Sequence, residues 1–121
     1  MHARRETARP TLLFVGRDLH EAERLCRLLP LRVSAAPSPA DGIEAARMAS
    51  VVLLEDHAWP VRDDEALAEL RELSAARRLS LILSRRRGDH AEQGGFQVVE
   101  RPYRMDEVVN ALRLALLRRK A

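Results

Sequence analysis

The sequence predicts an α/β domain in which a parallel β-sheet is covered by helices on both faces. Short apolar runs alternate five times with amphipathic helical patterns along residues 11–117. The run Val51–Leu54 consists of four consecutive apolar residues, which is typical of a strand buried on both faces of a parallel sheet. Alternation of this kind indicates strands joined by right-handed helical crossovers. A chain of 121 residues is long enough for one such domain. It is predicted at residues 11–118, after a disordered basic lead-in at residues 1–10.

The composition restricts the possible classes of function but does not identify one. Lys and Arg number 21 against 18 Asp and Glu, for a formal net charge of +3, which permits contact with an acidic partner but does not require one. The single cysteine, Cys26, excludes an intrachain disulfide and indicates a reducing compartment. No apolar run has the length of a membrane span, and the start of the chain lacks the apolar part of a signal peptide. We expect the protein to be cytoplasmic and to make no contact with a membrane.

Five strands are predicted from the apolar runs. The second of them alternates apolar and polar residues, so it is expected to be partly exposed. The fourth is expected to end at Ser84, and a charged loop, Arg85–Gly88, follows it. The predicted strands are Thr11–Val15, Leu31–Ala35, Val51–Leu54, Leu79–Leu83 and Phe96–Val99.

Helix starts are marked by capping residues. Asp18 with Glu21 three residues later forms a box-like cap for the first helix. Ser38 caps the second helix, which has a proline in its first position and is expected to end near Ala49. Asp63 or Asp64 is expected to cap the third. One helical turn is predicted at residues 89–93, and a last helix with a wide apolar arc follows at residues 105–117.

The carboxyl ends of the strands carry the candidate site. Ligand crevices of open α/β sheets lie at these ends. Asp56 follows the buried third strand, and Pro60 four residues later fixes the loop that leaves it. A carboxylate, the hydroxyl of Ser84 and the cation of Arg101 would converge there, a set suited to accepting, hydrogen-bonding and neutralising a phosphoryl group. The alternative is a strand-end carboxylate that pairs locally.

In this order and spacing the motifs resemble the receiver domain of two-component response regulators over residues 11–118. The resemblance rests on the Asp56 to Pro60 spacing, on Ser84 at the end of the fourth strand and on the turn Arg101-Pro102-Tyr103. It implies a flavodoxin-like (CheY-like) fold with strand order 2-1-3-4-5. It also implies that Asp56 occupies the phosphoacceptor position, that Ser84 stands for the Thr or Ser switch residue, and that Arg101 stands for the family's lysine.

The sequence departs from the receiver pattern at the metal site. Receivers carry an acidic pair at the end of the first strand that binds Mg²⁺, and here that pair falls on Gly16 and Arg17, with Asp18 one residue late. Mg²⁺ requires several oxygen ligands in octahedral geometry, so the site is expected to be lost and no cofactor is expected. Arg17 is instead expected to pair with Asp56 or with Glu55, itself interpreted as a solvated neighbour.

Two further departures concern the signalling surface. Val98 falls where receivers have the switch aromatic, and the segment between Ser84 and Arg101 implies a shortened fourth helix. Trp59 is interpreted either as a partly buried lid or as a contact for a partner.

The sequence therefore predicts a non-enzymatic signalling protein. It would be an atypical, stand-alone receiver that acts through protein–protein interaction without Mg²⁺-dependent phosphorylation. Its partner would be a histidine kinase, an effector, another receiver or a second copy of the chain. One alternative is a conventional response regulator phosphorylated on Asp56, the one case in which Mg²⁺ is expected. A third hypothesis, less favoured by the scattered aromatics, is a nucleic-acid contact through the Arg-rich loop and tail.

Overall fold

The computed structural model describes residues 10–86, 97–101 and 103–120, with side chains in the last helix described as far as Leu117. The strands are β1 Thr11–Val15, β2 Arg32–Ala36, β3 Val51–Glu55, β4 Ser80–Arg86 and β5 Gln97–Arg101. The helices described are α1 Leu19–Leu28, α2 Pro39–Met48, α3 Asp64–Ala75 and α4 Met105–Lys120, with a short 3-10 turn at Val61–Asp63. The predicted lead-in and the predicted turn at residues 89–93, with the shortened helix it implies, fall on residues outside this part of the chain.

All five strands are parallel and form one sheet in the order β2-β1-β3-β4-β5. The predicted flavodoxin-like topology is therefore confirmed. The strand β3 lies at the centre of the sheet, and its residues Val51 to Glu55 are all buried. Because the strands are parallel, their carboxyl ends lie at the same edge, where the candidate site was predicted.

Helices cover both faces of the sheet, as predicted. Successive side chains of a strand point to opposite faces, so each inner strand supplies both layers. On one face Leu12, Phe14 and Leu53 pack with residues of α1 and α4. On the other face Leu13, Val15 and Leu54 pack with residues of α2 and α3. The parity of a residue within its strand therefore decides which layer it joins.

The first two helices begin where the sequence places them. The Asp18 side chain accepts a hydrogen bond from the backbone N–H of Glu21, and the Ser38 hydroxyl accepts one from Asp41. Each bond satisfies a backbone donor that the helix itself leaves unpaired. The helix α2 then ends at Met48, with Ala49 as its C-cap.

The start of α3 differs from the prediction. Asp63 stands at its N-cap position but makes no capping hydrogen bond there. Its side chain is fully buried, and its Oδ1 accepts from the backbone N–H of Ala40 at 2.9 Å. Asp63 therefore stabilises the amino end of α2, because that end offers unpaired N–H groups close to the entry of α3.

The last two strands also run further than predicted. β4 continues to Arg86 rather than ending at Ser84, and β5 continues to Arg101. The residues Arg85 and Glu100 pair in register, as do Arg86 and Arg101. Two residues of the predicted charged loop, Arg85 and Arg86, therefore belong to β4. Their side chains take positions in the candidate site that the sequence did not predict.

Candidate functional site

The two acidic residues after the central apolar run lie on opposite faces of the sheet. Glu55 has the parity of Val51 and Leu53, which face α1 and α4. Asp56 has the parity of Val52 and Leu54, which face α2 and α3. The side chains on the two faces of the strand ends therefore form two separate groups, one around each carboxylate.

Glu55 is the centre of the first group. Only 7% of it is exposed, which corrects the interpretation of this residue as a solvated neighbour. Its Oε1 accepts a hydrogen bond of 2.9 Å from the backbone N–H of Arg17, and His57 Nε2 lies 3.7 Å away. The Arg101 guanidinium lies 3.6 Å from Oε2. Parity with Val51 and Leu53 assigns Glu55 to the face that α1 and α4 cover. It does not by itself predict burial, because Asp56 shares the parity of the buried Val52 and Leu54 and its side chain is 36% exposed.

Gly16 gives Glu55 the space that it occupies. A Cβ atom at position 16 would lie 2.5 Å from the Glu55 Cδ and 2.8 Å from its Oε1, which is closer than non-bonded atoms approach. The Glu55 carboxylate therefore fills the volume in which a side chain from the end of β1 would start. An acidic side chain at position 16, as the receiver pattern would place there, is incompatible with this arrangement.

Asp56 belongs to the second group. Its Oδ2 accepts a hydrogen bond of 2.9 Å from Nη2 of Arg85, whose side chain is only 2% exposed. The Asp56 backbone N–H also donates to the Ser84 carbonyl at 2.7 Å. Arg85 was predicted to lie in a charged loop, and this is wrong because β4 continues through it and brings it to the face that Asp56 shares.

Arg17 does not reach Asp56. Its backbone N–H binds Glu55, and its guanidinium lies 5.5 Å from the centre of the Trp59 ring, a cation–π distance. The Trp59 indole donates to the Glu55 carbonyl at 3.0 Å and lies against the His57 ring, with 4.0 Å between centroids. Trp59 is thus a half-buried lid over the end of β3, as one of its two interpretations predicts.

A cavity of about 640 Å³ opens on the Glu55 face. Its described lining includes every predicted pocket residue: Arg17, Asp18, Glu55, Ser84 and Arg101. Asp56 is not among the described lining residues. Six further described residues line the cavity and were not predicted as pocket residues, and two of them lie on α1, whose sequence pattern indicated only a cap and a buried face: Phe14, Glu21, Arg24, His57, Arg86 and Tyr103.

Several buried polar atoms in this cavity have no hydrogen-bond partner among the residues that the structure describes. Ser84 is 1% exposed, and its hydroxyl is one of these atoms. The Tyr103 hydroxyl and Glu21 Oε2 are buried and likewise make no hydrogen bond of standard geometry. Burial, reinforced by the neighbouring Glu21 carboxylate, raises the pKa of Tyr103 well above its usual range. Tyr103 therefore stays protonated and remains a donor at every physiological pH.

The residues at the strand ends do not fit an Mg²⁺ ion. The acidic pair is replaced by Gly16 and Arg17, and the space beside β1 is filled by Glu55. Asp56 already has a cationic partner in Arg85. Among the described residues no three His, Cys, Asp or Glu side chains are grouped so as to hold a metal ion. Oxygen ligands in the number that Mg²⁺ requires are not brought together here.

Comparison with known proteins identifies the fold. No family model matches the sequence, and no curated protein matches it. Solved structures do match. The signal receiver domain of an HD domain-containing protein from Pseudomonas fluorescens superposes with a TM-score of 0.74 at 23% identity, covering 93% of this chain and 98% of that one.

Two further structures are similar over a comparable length. A response regulator receiver domain from Clostridium thermocellum has a TM-score of 0.73 at 17% identity, covering 92% of this chain and 97% of that one. A response regulator receiver protein from Sinorhizobium medicae has a TM-score of 0.70 at 16% identity, with coverages of 92% and 97%. The chain therefore has the fold of receiver domains. None of the helices described is long and apolar enough to cross a bilayer.

Proposed function

We propose that this protein is an atypical, non-enzymatic receiver-type signalling module that works through protein–protein contacts without Mg²⁺-dependent phosphorylation. The observation that carries the proposal is the pair formed by Asp56 and the buried Arg85, 2.9 Å apart. A receiver takes up a phosphoryl group on a carboxylate that a metal ion assists. Here the carboxylate in that position is already engaged by a cation of the protein itself.

The surroundings of the pair support the same proposal. Glu55 fills the space beside Gly16 in which the missing acidic side chain would lie. Arg101, at the position of the family's lysine, lies 3.6 Å from Glu55, on the face opposite Asp56. The three groups expected to act on one phosphoryl group, Asp56, Ser84 and Arg101, are thus divided between two faces. The remaining function that we propose for this fold is recognition of a kinase, an effector or another receiver through its surface.

The test is a phosphorylation assay read by mass. The protein is incubated with Mg²⁺ and acetyl phosphate beside a conventional receiver as positive control, and intact masses are measured. We expect the conventional receiver to gain one phosphoryl group and this chain to remain unmodified. The Asp56→Asn variant, checked for folding by circular dichroism, identifies the site of any modification. A gain of one phosphoryl group that Asp56→Asn abolishes would show that the protein is a working phosphoacceptor.

The conventional response regulator is the second candidate, and one observation favours it. The Asp56 side chain is 36% exposed, so a phosphodonor can approach it once Arg85 moves. The same assay separates the two candidates.

The nucleic-acid hypothesis loses part of its basis. Arg85 is buried and Arg86 lines the cavity, while Arg87 lies outside the described residues. Salt-sensitive DNA binding that is lost when residues 85–87 are changed to alanine would restore this hypothesis.

A further inference from the structure

The cavity on the Glu55 face has the size and the polarity of a small-molecule site. Its volume of about 640 Å³ falls within the range of about 300–1,000 Å³ that is usual for ligand pockets. It is far larger than a single inorganic ion needs. Buried Phe14 provides an apolar wall, and the buried hydroxyls of Ser84 and Tyr103 lie in the same lining.

The charges that line the cavity leave an excess of positive groups. Each of its three carboxylates has a partner for at least one oxygen: Asp18 caps α1, Glu21 Oε1 pairs with Arg24 at 3.3 Å, and Glu55 accepts the Arg17 N–H. Four guanidinium groups line the same cavity. Within the described part of the chain, no carboxylate lies within ion-pair distance of the Arg17 or Arg86 guanidinium.

The unpaired hydroxyl of Ser84 is the second, independent sign of a ligand. A buried polar group without a partner is energetically costly, and the Ser84 hydroxyl, in a residue that is 1% exposed, makes no hydrogen bond with any described residue. A partner supplied from the cavity removes that cost. The hydroxyls of Ser84 and Tyr103 can both donate a hydrogen bond, so a ligand that carries hydrogen-bond acceptors suits this lining.

We propose that this cavity binds a small organic phosphate, with the phosphate group held by Arg17 and Arg86 and an acceptor placed against Ser84. Arginine recognises phosphate through two parallel N–H bonds, which favours a phosphate ester at this rim. The apolar wall and the volume accommodate the organic part of the molecule. The site does not involve Asp56, which lies on the other face of the sheet, so it stands or falls independently of the phosphorylation state.

Isothermal titration with ribose 5-phosphate and AMP tests this site. Ribose and adenosine serve as the matched uncharged probes and citrate as a carboxylate anion. We expect saturable binding of at least one phosphate ester and none of its uncharged counterpart. Trp59, the single tryptophan of the chain, reports the same event in the ribose 5-phosphate titration through its fluorescence, because it contacts Arg17.

Three variants locate the binding. Arg86→Ala is expected to weaken it roughly tenfold or more, as the loss of a charged hydrogen bond does. Ser84→Ala is expected to weaken it several-fold. Arg32→Ala, an exposed arginine at the start of β2 and so at the opposite edge of the sheet, is the charge-matched control and should bind as the wild type does. The proposal is overturned if neither ester binds, if citrate binds as tightly, or if Arg86→Ala and Arg32→Ala have equal effects.

Discussion

Two neighbouring carboxylates at the end of β3 have opposite surroundings. Glu55 is buried beside Gly16, the Arg17 N–H and Arg101, whereas Asp56 pairs with Arg85 on the other face. Phosphoacceptor chemistry needs the carboxylate, the hydroxyl and the cation to meet on one side of the sheet. The period of two in a strand prevents this here, because Ser84 and Arg101 share the parity of Glu55.

The contact of Gly16 with Glu55 yields a residue-level prediction. Gly16→Ala would place a Cβ 2.5 Å from the Glu55 Cδ, so Glu55 must turn away and give up the Arg17 N–H. We expect the free energy of unfolding to fall by about 1–2 kcal/mol. In the Glu55→Ala background the same substitution should cost much less, because the clashing atoms are gone. Urea unfolding of the four proteins of this cycle measures the coupling, and equal costs in both backgrounds would refute the steric account.

How much of this site could be predicted depends on the residue. Asp18, Ser84 and Arg101 were expected near the carboxyl ends of the strands, and the structure has them lining one cavity. The loss of an apolar pattern marks this edge of the sheet approximately, although β4 itself continues past Ser84 to Arg86. The partner of Asp56 was not predicted, because the interpretation ended β4 at Ser84. A strand that continues through polar residues leaves no hydrophobic signal, and pairing with β5 is what extends β4 through Arg85 and Arg86. The alternation of side chains along a strand could not assign Arg85 and Arg86 to a face of the sheet, because the predicted end of β4 left both residues outside the strand.

At the scale of secondary-structure elements, capping explains why most boundaries were predictable. The caps of α1 and α2 use local side chains whose spacing is visible in the sequence. The cap supplied to α2 by Asp63 comes from 23 residues along the chain. A contact of that range depends on how α2 and α3 pack. From the sequence alone, Asp63 is an equally good candidate for the N-cap of α3.

The end of α3 yields a prediction at this scale. The N–H of Arg78 bonds to the Leu73 carbonyl and that of Arg77 to the Ser74 carbonyl, the two bonds of a Schellman motif. Arg77 has a φ of 60°, a left-handed conformation that costs a residue with a Cβ about 1 kcal/mol or more. Glycine adopts it without that cost.

Arg77→Gly is therefore expected to raise the free energy of unfolding by about 0.5–1 kcal/mol. Arg78→Gly is the matched control, since it removes the same charge one residue further on, where φ is not positive, and should stabilise nothing. Thermal and urea unfolding of both variants check the sign. A loss of stability in Arg77→Gly would mean that the arginine side chain contributes more than its backbone strain costs.

At the scale of the whole molecule, the two layers decide which apolar surface remains for partners. The wide apolar arc of the last helix supported a second copy of the chain as a partner. In the structure most of that arc is buried in the core, where Val108, Ala111, Leu112 and Ala115 pack against the sheet. Of the described α4 residues, the large apolar side chains left exposed are Leu114 and Leu117, at 42% and 59%.

Two partly exposed leucines fall well short of a stable dimer interface, which buries about 800 Å² on each partner. We therefore expect α4 not to drive self-association and the protein to be monomeric in the micromolar range, with Leu117→Glu sedimenting as the wild type does. Sedimentation velocity over a range of concentrations measures this. A wild-type dimer that Leu117→Glu dissociates would show that α4 is the interface after all. The recognition surface would then lie on the helix layer of the Glu55 face, which also carries the cavity. Addition of ribose 5-phosphate in the same experiment would reveal whether ligand binding and self-association are coupled.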